Sequence, residues 1–346
     1  MNFHITAVLL LIAPLAAEAA SPRVASLTGP TMGTTYHIKY WGEGEKSPPT
    51  VKAEVDRLLA TFDAQMSTYR DDSELSRFNR APAGEWFPVS IDTARVVDES
   101  LGYFRETDGV LDVTVPPVLR LWDFGGGAKS AKQGPASFTP PTAEELAAAL
   151  KLVGSQRLRA RVDPPALMKE IESLEVDLSS IAPGYAVDLI VKQLQEQGFA
   201  NVMVEIGGEV RAVGVRGDGT PWRIGVERVG ATDGTLARIV PLDNLALSTA
   251  GDYRNFHAAD GERFTHIIDP RTGQALPYRG AAVTVIAPTC TEADALDTPL
   301  LIMGPEAGYR WCVERNVAAF FQTRDADGES KELATPRFNE LVPPLP

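Results

Sequence analysis

Tyr36, Ile38 and Tyr40 alternate with Thr35, His37 and Lys39, a period of two that predicts a strand with one buried face. The period then lengthens. Val51, Val55, Leu58, Leu59, Phe62 and Met66 recur at helical spacing and predict a helix over about 50–66 with one core stripe. Ser73 followed by Glu74 opens a short helical turn carrying Leu75 and Phe78. A further helix starts near Asp92, buries Val96, Val97, Leu101 and Phe104, and has to stop by Gly109. Thr142 with Glu145 forms a capping box, so another helix runs from there to about Lys151.

The second half alternates strands and turns. Val202, Val204 and Ile206 predict a strand ending at Gly207-Gly208; Ile224 with Val226, then 239–247, 264–268 and 281–287, predict others. Helices are expected near 183–197, closed by Gly198, and over 291–303 and 306–316. Between the halves, residues 125–141 are rich in Gly, Ala, Ser and Pro without apolar period; they read as a long surface loop, either an insertion or a boundary. Strand runs with interspersed helices favour an α+β fold over a doubly wound sheet.

The start of the chain follows a different pattern. An apolar run over 5–15 leads into Ala16-Ala17-Glu18-Ala19-Ala20, so residues 1–20 read as a secretory signal peptide with an A-x-A site at Ala17-Glu18-Ala19. The alternative is a buried N-terminal core helix. The run is shorter than the roughly 20 residues of a spanning helix, and no Cys follows it to carry a lipid. The expectation is an exported, periplasmic protein of residues 21–346, not a lipoprotein and without stable membrane insertion.

Composition adds exclusions. With 346 residues, 44% hydrophobic and 23% charged, the chain is an ordinary globular one that needs no staples for its core. A net charge of −13 without a basic block argues against nucleic acid or an anionic membrane as partner. Any bound phosphate has to be held locally, through a metal ion or backbone N–H groups. Cys290 and Cys312 are too few for a disulfide framework or a Cys-based zinc site; they either pair in an oxidising compartment or serve as small buried apolar side chains.

Four segments carry candidate chemistry. Gly207-Gly208 is no dinucleotide fingerprint, because Glu209 to Val213 continue as strand and no helix follows. If 292–298 is helical, Asp294, Asp297 and Thr298 share one face as hard oxygen donors suited to Mg²⁺; the alternative is acids answering the helix dipole after a Thr291 cap. Pro299 adds a third possibility, a helix that begins at a Thr298 cap. Residues 174–188 read as a strand end, a turn and a helix with Pro183 in its first turn; its N-terminus either offers N–H groups to an anion or is an ordinary connection. His266, ahead of the turn Asp269-Pro270-Arg271-Thr272-Gly273, is either a site residue or a structural one.

Taken in order, these segments resemble the ApbE family of FAD:protein FMN transferases. The resemblance is carried by Thr31-Met32-Gly33-Thr34, Phe62-Asp63-Ala64-Gln65-Met66-Ser67-Thr68-Tyr69, Asp72-Ser73-Glu74-Leu75-Ser76-Arg77-Phe78-Asn79, Thr107 to Thr114 and Leu121-Trp122-Asp123-Phe124-Gly125. The later blocks are Asp177 to Asp188, Ile206 to Glu209, Ala250-Gly251-Asp252-Tyr253, His266 to Gly273 and Ala293 to Thr298. It covers nearly all of residues 21–346.

The resemblance implies two intimately joined lobes of mixed β-sheet with flanking helices. It implies Mg²⁺-dependent transfer of FMN from FAD to a Thr or Ser hydroxyl of an acceptor flavoprotein, with AMP released. A Mg²⁺-dependent FAD pyrophosphatase and a non-catalytic exported flavin-binding protein are the alternatives. Carried over by motif, the flavin contacts fall on Met32, Tyr69, Val110, Leu111, Asp112, Asp177, Pro183 and Ile268. The metal ligands fall on Ser180 (through its main-chain oxygen), Asp294, Asp297 and Thr298, with the two aspartates expected as surface-cleft acids. His266 and Asp252 follow strand segments and are the candidate catalytic residues. The chain departs from the family pattern at Pro183, where Lys is common, at Ala250, where Ser is frequent, and at Pro299, where a small helix former is usual.

Overall fold

A computed structural model describes residues 24–124, 138–231, 233–252, 256–259, 262–324 and 329–343. The expected signal peptide, most of the 125–141 loop and Tyr253 lie outside the described residues.

The chain opens with a hairpin of β1 (Ala25–Thr31) and β2 (Thr34–Trp41), where Thr31 pairs with Thr34. Its two loop residues, Met32 (φ 44°) and Gly33 (φ 73°), take the left-handed values that a two-residue hairpin turn requires. α1 (Pro48–Met66), α2 (Glu74–Asn79), β3 (Phe87–Pro88), α3 (Ile91–Glu106), α4 (Pro116–Leu121) and α5 (Ala143–Leu150) follow. The α5 capping box forms as read, with the Thr142 N–H donating to Glu145 Oε2 at 2.8 Å and the Glu145 N–H to Thr142 Oγ1 at 3.2 Å. β4 (Leu158–Val162) and β5 (Pro165–Lys169) lead to α6 (Ala182–Glu196). Then come β6 (Asn201–Ile206), β7 (Glu209–Val213), β8 (Trp222–Glu227), β9 (Leu236–Leu242), β10 (Leu245–Gly251), β11 (Phe256–Ala259), β12 (Glu262–Ile268), β13 (Ala275–Pro277) and β14 (Ala282–Ala287). The chain ends with α7 (Cys290–Arg315), β15 (Ala318–Arg324), β16 (Ser330–Ala334) and α8 (Pro336–Leu341).

The α+β expectation holds, and the strand pairs are antiparallel. The main sheet runs β1-β2-β6-β7-β10-β14-β15-β16. Val202, Val204 and Ile206 put one of its faces against α1 and α6, while Ala293, Leu296 and Leu300 of α7 cover the same face further along. The β8–β9 pair and Phe338 of α8 cover the other face around Val210, Ala212 and Phe320. With both faces covered, every residue of β14 is buried.

Several boundaries differ from the sequence reading. Residues 239–247 are not one strand. The chain breaks at Asp243-Asn244, with Asn244 at φ 54°, and passes from the β8–β9 pair into the main sheet. The 174–178 stretch is not a strand end; it is extended without a ladder, held instead by the Asp177 N–H to the Val113 carbonyl at 2.8 Å. α7 begins earlier than either expected cap. Thr289 is the N-cap, accepting from the Glu292 N–H at 3.2 Å. Pro299 lies inside the helix, which breaks at Gly304 (φ 76°, ψ 172°) before Pro305, so the two expected helices are joined across a kink. Cys290 and Cys312 are free and buried.

Candidate functional site

A cavity of about 1300 Å³ opens between the β1–β2 turn, one face of α1 and the first turn of α6. Of the expected flavin contacts, Met32, Tyr69, Asp177 and Pro183 line it. Met32 gets there because the hairpin turn thrusts it forward. Tyr69 stands just beyond the α1 C-terminus and is 70% exposed, a free aromatic face at the rim. Asp177 is pinned before α6: Thr68 Oγ1 donates to its Oδ2 at 3.3 Å and the Ser179 N–H to its Oδ1 at 2.8 Å. A smaller cavity of about 480 Å³ on the other flank of α1 holds none of the expected site residues.

The remaining expected contacts do not line the larger cavity. Val110 and Leu111 are buried, and Ile268 packs with Val118 and Trp122. The Asp112 carboxylate is fully engaged within the fold: Thr114 donates to it from N–H (2.8 Å) and Oγ1 (2.6 Å), and Ser155 from Oγ (2.7 Å) and N–H (3.2 Å). It thereby ties the start of α4 to the segment ahead of β4.

The acid pair lies on α7, and Asp294 bonds the residue that follows the lining residue Pro183. Asp294 Oδ2 accepts the Gly184 N–H at 2.8 Å, and Gly184 follows Pro183 in the first turn of α6. That approach requires glycine: an added Cβ would collide with the Cys290 carbonyl and stand 2.8 Å from Asp294 Cβ. Asp188, one helical turn further on, clamps the α7 N-terminus by accepting from the Cys290 and Thr291 N–H groups at 3.0 Å each, from Thr291 Oγ1 at 2.7 Å and from Arg211 at 2.6 Å. Asp297 accepts from Ser248 Oγ of β10 at 2.6 Å and from Thr298 Oγ1 at 3.1 Å.

Asp294 and Asp297 are not surface-cleft acids. They are 5% and 3% exposed, because this part of α7 packs on β10, β14 and α6. Burial raises the Asp294 pKa well above the usual carboxylate range, with the charges of Glu209 and Asp297 adding to it. Burial also lifts Asp297 to about 7, against the hydrogen bonds from Ser248 and Thr298. Two buried carboxylates beside the Thr298 hydroxyl oxygen are a hard-donor set that gains from a divalent cation, and Mg²⁺ suits it because that ion keeps waters and substrate oxygens as further ligands. Among the described residues no three His, Cys, Asp or Glu side chains gather as a closed metal cage. Ser180 is half-buried in the turn before α6.

The α6 N-terminus does not offer its N–H groups to an anion. The Ile181 and Ala182 N–H groups both bond the Leu178 carbonyl, at 3.1 and 2.8 Å. Pro183 has none, and Gly184 is taken by Asp294. His266 lies on β12 within 6.4 Å of the Phe124 ring, and its neighbour Ile267 packs in the cluster containing Ala293 and Leu296 of α7. Asp252 is buried and clasps a turn, accepting from the Arg279 and Ala281 N–H groups at 2.8 Å each. Burial raises its pKa against those bonds. The sequence reading missed Ser248, Asp188 and Gly184 as supports of the acid pair, since no local pattern ties them to a helix up to about a hundred residues away.

The ApbE family profile matches residues 32–321. An FAD:protein FMN transferase of Vibrio cholerae is 42% identical over 91% of this chain and 92% of its own. That of Escherichia coli K12 is 33% identical over 95% and 92%. The structure of the apo flavinyl transferase ApbE of Pseudomonas stutzeri superposes with a TM-score of 0.82 at 39% identity, covering 92% of this chain and 97% of that one. The flavin transferase ApbE of Vibrio cholerae also gives 0.82, at 41% identity over 92% and 99%. The chain belongs to the ApbE family.

Proposed function

We propose that this chain is a Mg²⁺-dependent FAD:protein FMN transferase that works on an exported acceptor flavoprotein. One observation carries the reading: a cavity large enough for a dinucleotide is lined by Pro183, and the next residue, Gly184, is hydrogen-bonded to Asp294 of a buried acid pair. Residues 21–346 act as one catalytic unit after removal of residues 1–20. No described helix is long and apolar enough to cross a membrane.

The acceptor Thr or Ser oxygen forms a bond to the FMN phosphorus, the bond between that phosphorus and the bridging oxygen breaks, and AMP leaves with the bridging oxygen and the electron pair. The hydroxyl proton passes to a base or to solvent. Met32, Tyr69, Asp177 and Pro183 hold the flavin half, with Ser180, Asp294, Asp297 and Thr298 as the metal's ligands. Mg²⁺, when bound, neutralises phosphate charge and polarises phosphorus. His266 orients the incoming hydroxyl beside α7. Asp252 supports it at a distance, by fixing the turn that leads into β14. Water is the competing nucleophile, so transfer needs the acceptor segment to dock in line and exclude it.

The test is mass spectrometry of an acceptor peptide after incubation with FAD and Mg²⁺. Covalent FMN with one AMP released per adduct is expected, with labelling lost when the target Thr becomes Ala. His266→Ala should slow transfer more than it weakens FAD binding. Free FMN and AMP formed equally fast without acceptor would make the chain a pyrophosphatase. Neither AMP nor adduct would leave a flavin-binding protein.

A further inference from the structure

FAD carries two phosphate charges into a cavity whose lining includes three carboxylates, those of Asp56, Asp63 and Asp177. The first turn of α6 cannot answer those charges, since its N–H groups are already bonded or, at Pro183, missing. Among the described residues that line the cavity, Lys52 is the only lysine or arginine. Lys52 and Met66 both line it from α1, which separates them by about 21 Å at 1.5 Å per residue. The cavity is therefore long enough to seat a flavin near Tyr69 and an adenylate near Lys52.

The Lys52 ammonium is held ready rather than buried, with its side chain 39% exposed. It donates to Asp56 Oδ2 at 2.8 Å and Oδ1 at 3.1 Å, and to Tyr36 Oη at 3.0 Å. The Tyr36 hydroxyl in turn donates to Asp56 Oδ1 at 2.6 Å. Tyr36 is fixed: its ring is fully buried, and it lies so close over Gly29 that a Cβ there would meet the ring at 2.6 Å. Burial and Asp56 raise the Tyr36 pKa, so it remains a donor. Asp56 Oδ1 already accepts the Tyr36 hydroxyl, and its 3.1 Å contact with Lys52 is the longest of the three, so that N–H is the one a phosphate oxygen would take over.

We propose that Lys52 is a substrate-binding residue for the AMP half of FAD, its ammonium pairing with the phosphate that departs as AMP while the Tyr36 hydroxyl keeps Asp56 satisfied. This rests on the transferase reading. It assigns the ends of the cavity, with flavin recognition at Tyr69 and Asp177 and adenylate recognition at Lys52.

The experiment is a flavin-fluorescence titration in chelator, where no bond breaks, with FAD and with riboflavin, which lacks phosphate. Wild type, Lys52→Met and Lys52→Arg are compared. Lys52→Met should bind FAD about 5- to 10-fold more weakly and riboflavin unchanged, the range for one partly exposed charge-assisted contact. Lys52→Arg should keep most of the FAD affinity. Added salt should weaken FAD binding more in wild type than in Lys52→Met. Equal FAD binding by wild type and Lys52→Met overturns the assignment, as does a parallel loss of FAD and riboflavin, which would mark a damaged cavity. If wild type binds FAD neither in chelator nor with Mg²⁺ added, the transferase reading fails and the assignment with it.

Discussion

The cavity and the acid pair are adjoining regions built on opposite terms. The cavity has a core floor of residues such as Leu59 and Phe62 and a rim of side chains partly or largely in solvent, such as Lys52 and Tyr69. Asp294 and Asp297 are buried, and apart from Thr298 their supports are long-range contacts: Gly184 from α6, Ser248 from β10, and Asp188 gripping the helix start. The charge of the cavity wall is solvated, whereas that of the acid pair is desolvated and repelled by Glu209. Substitution at the rim of the first region should change affinity more than stability. In the second it should change activity and stability together, with opposite signs, because the charges that hold a cation weaken the fold without one.

The sharpest break is Asp294→Asn. Asn still accepts from the Gly184 N–H but supplies no charge. FMN transfer should fall on the order of 1000-fold, while the thermal midpoint of the metal-free protein holds or rises. Full transfer by this variant, or by wild type in excess chelator, would remove the metal role from α7. Gly184→Ala tests the seam between the two regions. Its Cβ meets the Cys290 carbonyl, so urea unfolding should show a loss of about 3 kcal/mol. A variant as stable as wild type would mean that α6 and α7 are not in close contact.

The pH dependence of stability separates the regions by sign. The folded-state pKa values of Asp294 and Asp297 lie above their unfolded values, so the protonated acids favour the folded state. In metal-free protein this contribution is fully present below about pH 4, the usual Asp value. It is lost as the pH rises toward and through about 7, where Asp297 titrates. Mg²⁺ should stabilise the protein by compensating the ionised pair, so it should raise the melting temperature more at pH 8 than at pH 5. Equal Mg²⁺ shifts at both pH values would show that the ion binds elsewhere.

The same contrast sets what the sequence could disclose. Elements governed by near neighbours were legible: Tyr36, Ile38 and Tyr40 as a strand, Thr142 with Glu145 as a helix start, Gly207-Gly208 as a tight turn. The oxygen donors of Asp294, Asp297 and Thr298 were legible by spacing, but not their burial, which comes from β10 and β14 packing over α7. The α6 N-terminus read as an anion site because its N–H groups look free in the chain. They are spent on Leu178, four residues or fewer back, and on Asp294, far ahead in sequence. The break at Asp243-Asn244 was hidden by apolar residues on both sides, since a strand that changes sheets keeps its hydrophobic pattern. Lys52 carried no signal because its meaning depends on which acids and hydroxyls share its cavity.

The smallest expected effect sits at Pro183, on the cavity side of the seam. Pro183→Lys adds an ammonium facing Asp177 and Asp63 and restores a backbone N–H at the second position of α6. Two effects oppose it in the fold: a cation at a helix N-terminus is disfavoured, and losing proline restores entropy to the unfolded chain. Together they should lower stability by about 1 kcal/mol. FAD affinity should rise about 5-fold, the worth of one partly exposed charge beside a phosphate. Affinity can rise here at a small cost to the fold, because ligand contacts on a solvated rim are made without support from the core. The gain should be larger in a Lys52→Met background than in wild type, as one cation then answers a charge that the other no longer meets. Equal or weaker FAD binding by Pro183→Lys in both backgrounds would mean that the first turn of α6 never faces the phosphates.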